Sequence, residues 1–485
     1  MSESTKMTQT QKRILIIGLV PLFMSLLSVS SINVVLPAIA ADIHASTSAL
    51  QWVLTGYALS FGVVLVAAGR AGDVFGRGQL FVIGVGLFGL SSLVAGIAPD
   101  PLTLNISRVT MGLGSGFLNP QVVGLLQQYF QGPPRGRAFG LMGTTVGLSV
   151  AVGPVLGGAL IALFGSGLGW RATFLVNVPF AIASLILARV WLPSGAWRAA
   201  VAQDGKSAED GKSTEEGKDL DPVGVILLGV GVLLILLPFV ESSLGWFIWL
   251  SLPLGVGAIW LWAWWERRYA RLGRPPMVDL DLFRIRSFSN GSIIIALYFL
   301  GVTSVWVLVA MYMQQGLGHT ALAAGMIGLP AALCSAVSAD VSGRFVFQIG
   351  RRLVVWGIAL CLVGLVATIG VVALLSRGIG SEWWMLLTLA FIGTAQGMVI
   401  SPNQTLTLQD VPLRYAGSSG GVLQTGQRIG TSMGLAIMTA LAFSITAVSN
   451  WHWGMIAAFV AIALVVVLAG AVGIVEVRRG GPRRA

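Results

Sequence analysis

The chain is 485 residues long, 55% hydrophobic and only 10% charged, with a mean hydropathy of +0.84. So little charge on so long a chain excludes a soluble globular protein and places it in a bilayer. The net charge of +11 does not indicate a nucleic-acid partner, because the cations fall in short segments between apolar runs, where they set membrane orientation.

Crossing the hydrocarbon layer takes about 20 apolar residues. By that measure the sequence predicts fourteen spans, at roughly 14–37, 49–69, 79–98, 102–128, 138–164, 171–192, 222–241, 246–265, 288–314, 321–343, 353–375, 383–408, 417–445 and 453–475. Lys12 and Arg13 precede the first, and Ala38-Ile39-Ala40 has the small residues of a cleavage site. The run of 14–37 is too long for a signal-peptide core and more spans follow, so it reads as a retained helix.

Between spans 2 and 3 lies GRAGDVFGR, Gly69 to Arg77, and GRFVFQIGR, Gly343 to Arg351, repeats its Gly, Arg, Gly and Arg at the same spacing after a later span. Such self-similarity indicates two halves built alike. The glycines allow a tight turn between closely packed helices, and the arginines mark that turn as cytoplasmic. Gly69, Asp73, Gly76 and Arg77, with Gly343 and Arg351, are the candidate gating residues. Asp73 can cap a neighbouring helix end or pair with Arg77, locking an inner gate. Phe347 occupies the place of Asp73 in the second copy, so substitutions between Gly343 and Arg351 are expected to be milder.

Arg108 lies within span 4, where a cation costs about 3 kcal/mol on insertion scales and must face an aqueous cavity or a partner. Gly147, Gly153, Pro154, Gly157 and Gly158 make span 5 narrow and kinkable, which favours close helix packing. Residues 193–221 carry DGKS, EDGKS and EEGKD. Gly, Ser and alternating charge cannot bury a core, so this stretch reads as a flexible cytoplasmic linker. Its Gly-Lys-Ser triplets lack the upstream glycine of a phosphate loop, with Ala200 and Lys206 in its place, so neither ATP nor any other cofactor is expected. Trp246, Trp249, Trp260, Trp262, Trp264 and Trp265, around spans 7 and 8, read as an interfacial belt.

In the second half Asp340 is the one acid inside a predicted span, with Arg344 four residues on to pair with it. Arg428 shares one side of span 13 with Gln424 and Gln427, and Asn33, Gln314, Gln315, Gln396, Asn403 and Gln404 complete the candidate cavity groups. Each of these polar residues can equally tie helices together. Cys334 and Cys361 sit in apolar runs and read as core residues rather than a disulfide or metal site. His44, His319 and His452 fall at outer span ends. With the N-terminus in the cytoplasm, every Lys and Arg except Arg108, Arg171, Arg377 and Arg428 lies at the inner side, which places both termini there.

GRAGDVFGRGQL (69–80), Arg108 with GLGSG (112–116), GLSVAVGPVLGG (147–158), INVVLP (32–37), WRATFLVNVP (170–179) and SPNQTLTLQDVP with AGSSGGVLQTGQRIG (401–430) occur in order along the chain. In these motifs the chain resembles the 14-span drug/proton antiporter branch of the major facilitator superfamily. The resemblance implies an all-α polytopic membrane protein of the major facilitator fold: a six-helix bundle in 1–192, the linker 193–221, two inserted helices in 222–287 and a second six-helix bundle in 288–485. It further implies a monomeric secondary transporter of the plasma membrane that exports lipophilic or amphipathic small molecules, with protons as coupling ion. Relatives carry an aspartate four residues before the Ile-Asn-Val run, where this chain has Ser28, and Met111 replaces the glutamine of the span-4 motif. An uncoupled facilitator or a lipid flippase of the same fold is the alternative. A membrane enzyme would need clustered reactive groups at one depth, which the spans do not offer. With Arg108 and Arg428 embedded and no acid at position 28, the cavity should favour neutral or anionic amphiphiles over cationic dyes.

Overall fold

A computed structural model describes residues 7–198, 220–241 and 245–479, and all the regular structure among them is helical. Fifteen α-helical segments follow in order: α1 (Gln9–Asp42), α2 (Thr47–Phe75), α3 (Arg77–Gly96), α4 (Pro101–Tyr129), α5 (Gly132–Leu175), α6 (Asn177–Trp191), α7 (Pro222–Val240), α8 (Ser251–Arg271), α9 (Arg286–Met311), the short α10 (Ala321–Met326), α11 (Leu329–Ile349), α12 (Arg351–Leu375), α13 (Met385–Thr407), α14 (Ala416–Val448) and α15 (Trp451–Arg479). The linker repeats of 199–219 lie outside the described residues.

Local chemistry sets the helix ends. Thr8 and Gln11 form a reciprocal capping box at the start of α1. Asp100 caps α4 just before Pro101, whose missing N–H costs nothing at a first helical position. The glycine repeat makes two one-residue turns. Gly76 joins α2 to α3 at φ +108°, and its counterpart Gly350 joins α11 to α12 at φ +65°. At Gly76 a Cβ would also lie 2.7 Å from the Trp197 carbonyl oxygen.

Twelve of the described helices, rather than the expected fourteen, are long and apolar enough to cross a membrane by themselves. Two features account for the difference. Residues Gly132–Trp191 count as one stretch, although Gly165, at φ +76° and ψ 173°, breaks the helix within it. And α4 falls short of the apolarity needed, because Asn105, Arg108, Asn119, Gln121, Gln127 and Gln128 dilute it. The helices also run past the apolar runs that predict them. Asp73 and Glu476 are drawn into the ends of α2 and α15, and Glu266 into α8, so Asp340 is not the lone helical acid.

In the first half α5 packs on α1, and α4 on both α2 and α3; in the second half α13 packs on α11 and α12, and α9 on α14 and α15. Two seams join the halves, α2 against α14 and α5 against α11. Each half has its own apolar core, one around Phe81, Phe139 and Trp170, the other around Tyr298, Ile358 and Phe459. The first core extends into Phe288, Leu408 and Leu423, so the halves share buried surface at one end. A third cluster, with Leu228, Leu236 and Trp262, joins α7, which packs on α2 and α14, to α8. Outward faces are apolar as well: Ile83, Leu90 and Ile97 line one exposed side of α3, the surface a bilayer solvates.

Gly76→Ala combines a strained backbone with a carbonyl clash, whereas Gly350→Ala meets nothing within 4 Å. Gly76→Ala should therefore destabilise the purified protein by about 1–3 kcal/mol and Gly350→Ala by less. Thermal unfolding in detergent checks this order, and equal losses would show that the clash is relieved at no cost.

Candidate functional site

The site has two levels, a lock where the halves touch and a polar layer deeper along the same helices. In the lock Asp73, fully buried near the end of α2, reaches the first turn of α14. Its Oδ1 accepts from Gly417 N at 2.9 Å and from Arg77 Nη2 at 2.9 Å, and its Oδ2 accepts from Ser418 N at 2.9 Å. The first amides of a helix are without intrahelical acceptors and carry the positive end of its dipole, so a carboxylate there is doubly favoured. Arg77, 2% exposed, donates onward to Leu413 O at 2.7 Å and Gln128 Oε1 at 2.6 Å.

Close approach of two backbones makes this reach possible. A Cβ at Gly69 would overlap the Gly417 carbonyl, and one at Gly417 would overlap that of Gly69. On the other seam Gly343, the repeat counterpart of Gly69, meets Gly136 in the same mutual way. The first glycine of each motif thus serves helix contact across the halves, and the second serves the turn. The expectation of milder effects in the second copy loses its basis at Gly343, though Phe347, packed near Gly136, makes no ion pair.

Arg351 does not join the halves. It binds Glu476 at 2.9 Å and the side chain of Asn403, while Asn403 Nδ2 donates to Gly291 O at 2.9 Å, all within the second half. Asp340 pairs with Arg344 as the spacing suggests, but its Oδ1 is buried without a hydrogen-bond partner. Asp340 lies on the α5–α11 seam, where a Cβ at Gly140 would sit 3.4 Å from its Cα.

In the polar layer Arg108 is 1% exposed. Its Nε donates to Val53 O at 2.8 Å and its Nη1 to Ser28 Oγ at 3.1 Å, with the guanidinium 4.5 Å from the Tyr57 ring centroid. The residue standing where the resemblance calls for an aspartate is thus a direct partner of Arg108. Tyr57 is held by Ser25 O at 3.1 Å and Ser115 Oγ at 2.7 Å. Arg428, on α14, lies 4.2 Å from the centroid of Phe61, one turn along α2 from Tyr57. Gln424 is buried one turn before it.

The remaining candidates are scattered. Asn33, Gln314 and Gln315 are exposed, Gln396 is half-buried and Gln404 is buried. Gly153 and Gly157 pack against Ser30 and Ser31 of α1 beside Pro154, Gly147 faces Ala332 and Ala336 across the seam, and Gly158 faces open space. Several groups in and around the two seams carry no sequence signal beyond polarity in apolar surroundings. Gln121 donates to Ala68 O at 2.7 Å, Gln127 to Ala416 O at 3.1 Å, Arg135 to Leu408 O at 2.7 Å and Thr144 to Ala336 O at 2.7 Å.

The chain belongs to the major facilitator superfamily: the sequence model of the Major Facilitator Superfamily matches residues 19–435. It is 30% identical over 426 residues to the probable actinorhodin transporter of Streptomyces coelicolor, covering 87% of this chain and 71% of that one. With the multidrug resistance protein Stp of Mycobacterium tuberculosis it shares 27% identity over 441 residues, 89% of this chain and 76% of the relative. Its fold matches that of the proton:xylose symporter XylE with a TM-score of 0.66 at 14% identity, over 97% of this chain and 96% of that one. The chain is therefore a multi-pass membrane transporter of the all-helical major facilitator fold, and its relatives include proteins named for antibiotic transport and multidrug resistance.

Asp73→Asn keeps the shape of the lock and removes its charge. Transport should fall about tenfold or more at near-normal yield, since a few kcal/mol lost from one state moves the population by orders of magnitude. Gly343→Ala should match Gly69→Ala, because each Cβ meets backbone. Cross-linking between cysteines on α2 and in 413–415 reports the open lock, and wild-type transport by Asp73→Asn would reject its role.

Proposed function

From its membership of the major facilitator superfamily we propose that this chain is a secondary active exporter of lipophilic or amphipathic small molecules, working by alternating access with proton exchange. The observation that carries the reading is the one-ended seam. Contacts across the halves run from Gly69–Gly417 to Gly62–Arg428 on one side and from Gly136–Gly343 to Gly147–Ala332 on the other. Further along, Gly56 turns to Val109, Gly153 to Ser30 and Gly430 to Ala296, each within its own half. Two bundles in backbone contact at one end have the form of a carrier that closes there over cargo held between repeats. The cargo class follows the actinorhodin and multidrug relatives.

The closed end carries Arg77, Arg135, Arg351 and Arg414, so the positive-inside rule sets it in the cytoplasm of the plasma membrane, with both termini. Fourteen spans result if the break at Gly165 divides 132–191 in two and α4 crosses among its neighbours. The bundles are then 1–192 and 288–485, with 193–221 as connector and the pair in 222–287 seated against α2 and α14 through α7. The protein acts as a monomer.

Asp340 suits the proton, because one of its oxygens is buried without a partner on a seam that must open and close. An uncoupled facilitator is the second reading, favoured by the hydroxyl of Ser28 rather than a carboxylate at Arg108. Transport by protein in liposomes, with and without an imposed pH gradient, separates the two. The wild type should be driven by the gradient, while Asp340→Asn should lose that drive and keep substrate exchange. Wild-type transport indifferent to the gradient would reject coupling. Cysteines placed in 200–215 of a chain lacking Cys334 and Cys361 should resist an impermeant thiol reagent in intact cells, while cysteines near His319 react; the reverse would overturn the orientation.

A further inference from the structure

We infer that Gln424 and Arg428, one turn apart on α14, form an anion-binding subsite between the halves, so that the exported molecule presents an acidic group to them. The inference rests on the export reading and adds the chemical class of the cargo. Arg428 is half-buried and, among the described residues, makes neither a hydrogen bond nor an ion pair. Its guanidinium lies over the face of Phe61, which leaves its in-plane N–H donors without acceptors. Gln424 is 7% exposed, and its buried Nε2 has no hydrogen-bond partner. Positions four apart share one face of a helix, so two unmet sets of donors lie side by side. Buried donors are normally satisfied, and those left over mark a place for an acceptor.

Arg108 has a different part. Its guanidinium is enclosed, spoken for by Val53 O and Ser28 Oγ, and stacked near Tyr57, so no cargo reaches it without rearrangement. The Tyr57 and Phe61 rings are 6.0 Å apart, which sets the two guanidiniums at the two ends of one aromatic pair. No described carboxylate pairs with either, so both charges act between the halves with little compensation. A carboxylate, sulfonate or ionised phenol supplies acceptors for both sets of donors. The acid takes the Arg428 fork and the Gln424 amide.

The test uses matched pairs of aromatic acid and amide, naphthalene-1-sulfonate with its sulfonamide and 2-naphthoate with its carboxamide. Binding is measured on full-length protein in nanodiscs, with empty nanodiscs subtracted. The acid of each pair should bind about tenfold tighter or more, as a charge-assisted hydrogen bond provides. Arg428→Gln should abolish that preference by weakening the acid far more than the amide; Arg428→Lys should retain most of it, and Gln424→Leu should weaken the acids several-fold. Equal binding of acid and amide by the wild type, binding of neither, or an acid preference that survives Arg428→Gln would each overturn the subsite. Transport of the same compounds in liposomes separates this result from the export reading. Movement of amides and of a lipophilic cation with exclusion of acids keeps export and rejects the subsite. Acid binding without movement of any compound keeps the subsite and rejects export.

Discussion

Everything at the closed end depends on one buried carboxylate. Asp73 has no exposed surface, and a carboxylate in that position is tolerated only when its oxygens are matched by donors. The matching donors come from two sources: Arg77 on the same strand of sequence, and the first-turn amides of α14 in the opposite half. The second source imposes a geometric condition. A side chain as short as aspartate reaches those amides only if α2 and α14 come into backbone contact, and Gly69 with Gly417 permits that. Arg77 then draws in Leu413 O and Gln128, so the loop ahead of α14 and the end of α4 close with it. Separation of the halves at this end would strip the carboxylate of two donors at once, and water would have to replace them. An interaction of this kind has two stable conditions, matched or hydrated, and little between.

The two seams are unequal in chemistry although equal in backbone. Gly343 and Gly136 reproduce the glycine contact, but the residue standing for Asp73 is Phe347. What spans this seam is neutral or backbone-directed: Thr144 to Ala336 O, and Arg135 to Leu408 O. Arg351, which answers to Arg77 in the repeat, finds its acid in Glu476 on α15, inside its own half. The arginine of the first motif therefore joins the halves, and that of the second braces one half from within. A charge lock on one seam and a packed hinge-like contact on the other is an economical way to let two rigid bundles rock, since a single electrostatic event is enough to release them.

Much of this was legible in the residues, and the gaps have physical causes. The repeat of GRAGDVFGR announced two like halves, the four-residue spacing announced Asp73–Arg77 and Asp340–Arg344, and an arginine in an apolar run announced the burial of Arg108. Partners far along the chain were not legible. Nothing local links Asp73 to Gly417, Arg108 to Ser28, or Arg351 to Glu476. Those contacts exist because of how rods cross, which an apolar run does not encode. The number of spans differs for a related reason. An apolar window does not see the break that Gly165 makes, and it undervalues α4, whose polar side chains are acceptable because other helices surround them. The acids at helix ends lie beyond the apolar runs because helices outlast their apolar cores.

The lock and the polar layer are not separate devices, because both are read off one ridge of α2. Tyr57, Phe61, Leu65, Gly69 and Asp73 follow one another at four-residue steps, the row of side chains that one helix presents to another. Along it the partners change from Arg108 at Tyr57 to Arg428 at Phe61, Gly421 at Leu65, Gly417 at Gly69, and the α14 amides at Asp73. The ridge covers four turns and a half, about 24 Å from end to end. On α14 the facing positions run from Gly417 to Arg428 in the same rigid helix. In the proposed cycle, a molecule that draws Arg428 away from Phe61 shifts α14 relative to α2, and a rigid rod carries that shift to the amides bound by Asp73. Coupling between cargo and gate then needs no chain of intermediaries. It follows from two helices that touch along one ridge, with a cation at one end of the contact and a carboxylate at the other.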